Sequence, residues 1–164
     1  MELYRLRSDI PRALILTAAY AGWAGSLSPD VVAERLHDVE RDLARSPEVL
    51  ARSFLPSLVT ERASSAMRED LVRVMAEFHP GGTRTMLHAM AEADLRTVLP
   101  TIAVPTLLLH GAEDARSPLT VVEEMRAAIP SSSLVVLPEV GHQSNVETPE
   151  RFNDAVRAFL VGLP

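Results

Sequence analysis

The sequence predicts an α/β protein of about three parallel strands joined by crossover helices and interrupted by a four-helix insertion. Three observations carry this. Three short apolar runs, 13–17, 106–109 and 134–137, read as buried strands. Helices of ordinary length stand between the last two and after the final one, which implies parallel pairing through right-handed crossovers. About seventy residues after the first run hold helix patterns in succession with no strand among them, which breaks the alternation.

In chain order, residues 1–7 place Leu3, Tyr4 and Leu6 at helical spacing until Ser8-Asp9-Ile10-Pro11 breaks the pattern; no capping residue precedes them. Residues 13–17 (ALILT) form an uninterrupted apolar run, expected to be buried on both faces, and AAYAGWAG then turns the chain. Ser28-Pro29 is a hydroxyl cap followed by proline at the first helical position, and Val32, Leu36, Val39 and Leu43 follow on one face. Residues 47–58 give a second helix, and 64–78 a third with Met67, Leu71, Val74, Met75 and Phe78 as its stripe. His79-Pro80-Gly81-Gly82 reads as a break before a fourth helix over 83–93. Ser117-Pro118 repeats the cap-plus-proline start for a helix over 119–129, and Thr148-Pro149 opens the last helix. The expected organisation is therefore a core of 1–27 and 99–164 with a helical cap of 28–98 inserted.

Composition excludes several functions. The chain has 164 residues, enough for one domain with a core, and a formal net charge of -6 with scattered basic residues. Nucleic acid and anionic membrane surfaces are accordingly not expected partners. Absence of cysteine excludes disulfides, thiolate catalysis and cysteine-type zinc sites, and fits a cytoplasmic setting. The run ALILTAAYAGWAG resembles a signal peptide only superficially. Glu2, Asp9 and Pro11 precede it, and it falls short of the roughly 20 apolar residues a span requires. His37, His79, His88 and His110 show no ligand spacing, so neither metal nor cofactor is expected.

Chemistry concentrates in two strand ends. Asp114 and His142 each lie five residues beyond an apolar run, after Leu109 and Leu137 respectively. Both therefore fall at the carboxyl edge of the sheet, where ligands gather in such folds. An ionised aspartate accepting from the Nδ1–H of a histidine fixes the tautomer that leaves the other nitrogen able to take a proton from a hydroxyl. An aspartate before a helix is commonly only a turn residue, and a Gly-His pair is commonly incidental. Their joint placement at neighbouring strand ends, acid before histidine, favours a catalytic pair. Glu113 is the lesser alternative for the acid. Trp23, Met86 and Met90 are candidates to line an apolar substrate pocket, against their plainer reading as core. Arg84 and Arg116 are candidates to meet a substrate carboxylate, against their plainer reading as solvated surface.

Gly111-x-x-Asp114 followed by Pro118, and Gly141-His142 followed by Glu147, Pro149 and Phe152, resemble the α/β-hydrolase fold superfamily. The helical insertion is similar to the cap of its lactonase-, esterase- and dehalogenase-like members. The resemblance implies Asp114 as catalytic acid and His142 as base. Residues 12–17 would be the strand after the nucleophile strand, and residues 1–7 the tail of the helix that starts at the nucleophile elbow. It further implies a small-molecule substrate and hydrolysis of an ester or lactone bond, with carbon–halogen cleavage as a variant. The superfamily places its nucleophile in G-x-S-x-G on a strained strand-to-helix turn, and no such motif occurs in the sequence. Ser26 follows Gly25 but lacks a glycine two positions on. The chain thus reads as the C-terminal half of a hydrolase, inactive by itself and prone to self-association through an open sheet edge. The alternative is a non-catalytic module that binds a small molecule or partner through its cap.

Overall fold

A computed structural model describes residues 1–163. The three apolar runs become β1 (Leu14–Thr17), β2 (Thr106–Gly111) and β3 (Ser132–Leu137). They pair in parallel in the order β1-β2-β3, with Leu16 opposite Leu108 and Leu108 opposite Leu134. The central strand is buried along its whole length, as a strand with neighbours on both edges and helices on both faces must be.

The alternation along β2 sorts its side chains between two layers. Leu108 turns toward Leu14, Leu16 and Leu134, against Val121, Val122 and Met125 of α6 (Leu119–Ala128) and Tyr4 of α1 (Glu2–Leu6). Leu107 and Leu109 turn the other way, to Val135, Leu137 and Phe152, Val156 and Phe159 of α8 (Pro149–Val161). The tyrosine secures α1. Its hydroxyl donates to the Thr101 carbonyl at 3.3 Å and accepts from the Ala103 N–H at 3.0 Å.

The expectation that the first strand is buried on both faces does not hold. Ile15 is 36% exposed and the rest of β1 only partly covered. The cause is geometric: β1 pairs only with β2, and α8 packs over β2 and β3.

Between β1 and β2 lie four helices: α2 (Pro29–Leu43), α3 (Pro47–Leu58), α4 (Ser65–Ala76) and α5 (Pro80–Glu92). Ser28, Ser46 and Ser64 cap the first three, each accepting from the N–H three residues on. The stretch read as a break before the fourth helix is its first turn. Pro80 occupies the first helical position, where its missing N–H costs nothing, and the His79 ring accepts from the Gly82 N–H at 3.3 Å. Ser117 likewise does not cap α6: Pro118 holds the cap position, and the Ser117 hydroxyl has no hydrogen-bond partner. A short 3₁₀ turn (Leu99–Thr101) and α7 (Ser144–Glu147) carry no periodicity long enough to announce them. Trp23, Val39, Leu43, Leu50, Leu87 and Ala91 form the apolar centre of the helical segment. No helix among the described residues is long and apolar enough to cross a membrane.

Candidate active site

Asp114 and His142 reach the same point because their loops touch. Beyond β2 and β3 the Ala112 N–H donates to the Leu137 carbonyl at 2.8 Å, and the Glu113 N–H to the Val140 carbonyl at 2.9 Å. A side chain at Gly111 would lie 2.2 Å from the Gly141 carbonyl oxygen and 2.4 Å from that of Val140. Only glycine permits that approach, for reasons of space.

At this junction His142 Nδ1 lies 2.8 Å from Asp114 Oδ2. The aspartate side chain is wholly buried, whereas that of His142 is 16% exposed. Asp114 Oδ1 accepts from the backbone N–H of Arg116 at 2.8 Å and of Ser117 at 2.7 Å. With Oδ1 so engaged, Oδ2 is left for the imidazole, whose Nδ1 must donate. His142 Nε2 then carries the lone pair, and it makes no hydrogen bond to any described residue. An oriented base with a free nitrogen can accept a proton from a hydroxyl or a water.

A second buried histidine stands beside the pair. His110 Nε2 lies 3.0 Å from the Ser117 carbonyl oxygen and 3.8 Å from Asp114 Oδ2. A carbonyl can only accept, so Nε2 carries the proton. Burial holds the imidazole pKa below its ordinary value, and a neutral ring adds no second cation against Asp114.

The helical segment is tied to both loops. Glu147 Oε1 accepts from the Thr60 N–H at 2.8 Å and the Thr60 hydroxyl at 2.7 Å, while Oε2 accepts from the Gly141 N–H at 2.7 Å. The Gln143 N–H donates to the Leu58 carbonyl at 2.8 Å. On the acid side, the Arg116 carbonyl accepts from the Tyr20 hydroxyl and, at 2.7 Å, from the Arg35 guanidinium on α2. Of these partners, Glu147 stood in the sequence motif without a role. Nothing in the sequence pattern marked Tyr20, Arg35 or Thr60, because each acts across a gap that only folding closes.

His142 opens onto a cavity of about 840 Å³ between the helical segment and the sheet. Trp23, Met86, Met90 and Arg116 share its wall. Trp23 also belongs to the apolar centre of the helices with no exposure of its own, and Met86 is half exposed. The other sequence candidates lie elsewhere. Glu113 pairs with Arg62 at 2.8 Å on the surface, and Arg84 with Glu40 at 2.8 Å. His88 also meets Glu40, at 2.9 Å. Ser26 Oγ accepts from the Ala21 N–H at 2.9 Å and closes a turn.

The α/β-hydrolase family model described as TAP-like protein matches residues 80–162. The chain is 37% identical to 3-oxoadipate enol-lactonase 2 of Acinetobacter baylyi over 112 residues, 66% of this chain and 40% of that protein. It is 30% identical over 146 residues to the pimeloyl-[acyl-carrier protein] methyl ester esterase of Pectobacterium atrosepticum, 87% of this chain and 55% of that one. Among solved structures, a thermophilic esterase from Thermogutta terrifontis superposes with a TM-score of 0.86 at 32% identity, covering 98% of this chain and 59% of the esterase. In each of these three comparisons the chain spans about 60% or less of the other protein.

Proposed function

The chain belongs to the α/β-hydrolase superfamily, and from that premise we propose that Asp114 and His142 are the acid and base of a site that hydrolyses an ester or lactone bond. The observation that carries the proposal is the 2.8 Å contact between His142 Nδ1 and Asp114 Oδ2, with Nε2 left unbonded at the wall of the cavity. Asp114 holds the ring in the tautomer a general base needs and stabilises the imidazolium formed when Nε2 takes a proton. His142 later returns that proton to the leaving alkoxide. The names esterase and enol-lactonase among the relatives favour an acyl substrate over a carbon–halogen bond.

On this reading the attacking hydroxyl comes from outside these 164 residues, since the sequence carries no G-x-S-x-G. The pair by itself can polarise a water but cannot form an acyl-enzyme. The chain alone is therefore expected to turn over a p-nitrophenyl ester at the buffer rate; rapid turnover lost in His142→Ala would show that a nucleophile is present after all. A version supplied with a strand–elbow segment upstream of Met1 is expected to hydrolyse the ester, with His142→Ala lowering the rate by about 10³-fold or more. Undiminished turnover in that variant would remove His142 from the chemistry.

One observation also supports a binding role without catalysis: the cavity of about 840 Å³ is walled by this chain's own residues. Ligands can therefore enter whether or not a nucleophile is joined to it.

A further inference from the structure

The cavity beside His142 has an unusual charge inventory. Of the charged side chains on its wall, Glu2 and Arg5 pair with each other, and Asp94 pairs with Arg96. Arg116 is different. No carboxylate lies within ion-pairing distance of its guanidinium among the described residues, although it is largely removed from solvent. Its guanidinium stacks 4.4 Å from the centre of the Phe54 ring and 5.8 Å from that of Trp23, and it reaches only the Ser57 hydroxyl, at 3.5 Å. The nearby acids are already engaged: Asp114 with His142 and two backbone amides, Asp38 and Asp42 with Arg41. A second cation, Arg35, lies 5.5 Å from the same Trp23 ring and adds positive potential. Burial lowers the pKa of Arg116 from its ordinary value, which reports the desolvation a counter-anion would relieve.

Trp23 adds an independent observation. Its indole N–H is fully buried and has no hydrogen-bond partner, and buried donors are rarely left so. Both residues belong to the wall of the cavity beside His142, with the guanidinium 5.8 Å from the indole ring, and Arg116 also borders the adjoining smaller cavity lined by Phe54 and Ser57.

We propose that this corner of the cavity receives a carboxylate on the substrate, so that the site prefers an acyl compound bearing a second, anionic end. Arg116 supplies the charge, and Trp23 the flat wall beside it. The acyl carbon of the same molecule would lie toward His142, which shares the cavity. Guanidinium suits this task because its fork matches a carboxylate and remains charged even when desolvated. The words substrate and acyl rest on the hydrolytic reading above. The anion site itself does not, and the two fail separately: the site is read by binding to this chain without turnover, and the chemistry by turnover once a nucleophile is joined.

Trp23 is the sole tryptophan, so its fluorescence reports the site directly. Titration of the chain with monomethyl glutarate is expected to change that fluorescence saturably, confirmed by calorimetry. Dimethyl glutarate, of nearly the same shape but neutral, is expected to bind at least about tenfold more weakly, as is monomethyl glutarate to Arg116→Gln. Arg116→Lys is expected to recover part of the loss. Equal binding of the charged and neutral esters by the unmodified chain would overturn the proposal without recourse to any variant. Full binding of the monoester by a folded Arg116→Gln chain would overturn it as well.

Discussion

Replacing Glu147 with alanine tests how the histidine loop is held. The carboxylate accepts from the Thr60 N–H, the Thr60 hydroxyl and the Gly141 N–H, all between 2.7 and 2.8 Å. Thr60 and Gly141 are both buried, so the substitution orphans two backbone donors, at about 1–3 kcal/mol each. Glu147 itself is half-buried, and water entering the vacated space recovers part of that. The expected destabilisation is about 2–4 kcal/mol. For a chain of this length each kcal/mol moves the thermal midpoint by roughly 2–4 °C, so Tm should fall by roughly 4–16 °C. Far-UV circular dichroism melts measure it. Glu147→Gln sharpens the test: its oxygen still accepts from Thr60, but its amide meets the Gly141 N–H donor to donor. It should fall between wild type and alanine. A Glu147→Ala chain melting within about 2 °C of wild type would refute the view that this carboxylate joins the helical segment to the His142 loop.

Gly111→Ala drives a methyl group into the Gly141 and Val140 carbonyls, which lie 2.2 and 2.4 Å from the position it would take. Both are backbone atoms that cannot rotate away, so a loss of about 2–4 kcal/mol is expected in urea denaturation. The downfield Nδ1–H resonance of His142 in proton NMR should be lost as the loops part; an unchanged resonance in a stable Gly111→Ala protein would contradict the contact. The pH dependence turns on His110. Its folded-state pKa is held below the ordinary value of 6.5 by burial, so below about pH 6.5 the unfolded chain binds a proton that the folded chain refuses. Its contribution is therefore present in full above that pH and is lost as pH falls, by up to about 1.4 kcal/mol per unit. His110→Gln should flatten denaturation midpoints between pH 7 and 5, and an unchanged slope would remove His110 as the cause.

The sequence by itself determined the sheet, the helix order and the pairing of Asp114 with His142. Apolar runs such as TLLLH are short, β-rich and unbroken, and the Ser28-Pro29 pair caps its helix within one turn of chain, whereas the hydroxyls of Ser117 and Thr148 cap nothing. Such signals are local and survive without tertiary context. Asp114 and His142 were legible for a related reason: parallel crossovers bring successive strand ends to one edge, so position along the chain implies proximity in space. Boundaries were less legible. His79-Pro80 reads as a break, yet it opens a helix whose first turn the His79 ring secures by accepting from Gly82. Burial of β1 departs from the expectation because an apolar run does not reveal which of its edges and faces find neighbours.

What only the tertiary structure decided are the contacts across the gap between helical segment and sheet. Arg116 and Arg84 are alike as letters, yet one is stacked without a counterion in the cavity and the other pairs with Glu40 on the surface. Glu147 bonds to Thr60 at a separation of 87 residues, and Arg35 to the Arg116 carbonyl at 81. No periodicity spans such distances. Hydrogen bonds and ion pairs depend on ångström-scale placement that folding alone supplies. The Asp114–His142 pair and some wall residues of the cavity were therefore visible in the sequence, and the hydrogen bonds and ion pairs that fix their surroundings became visible only in the fold.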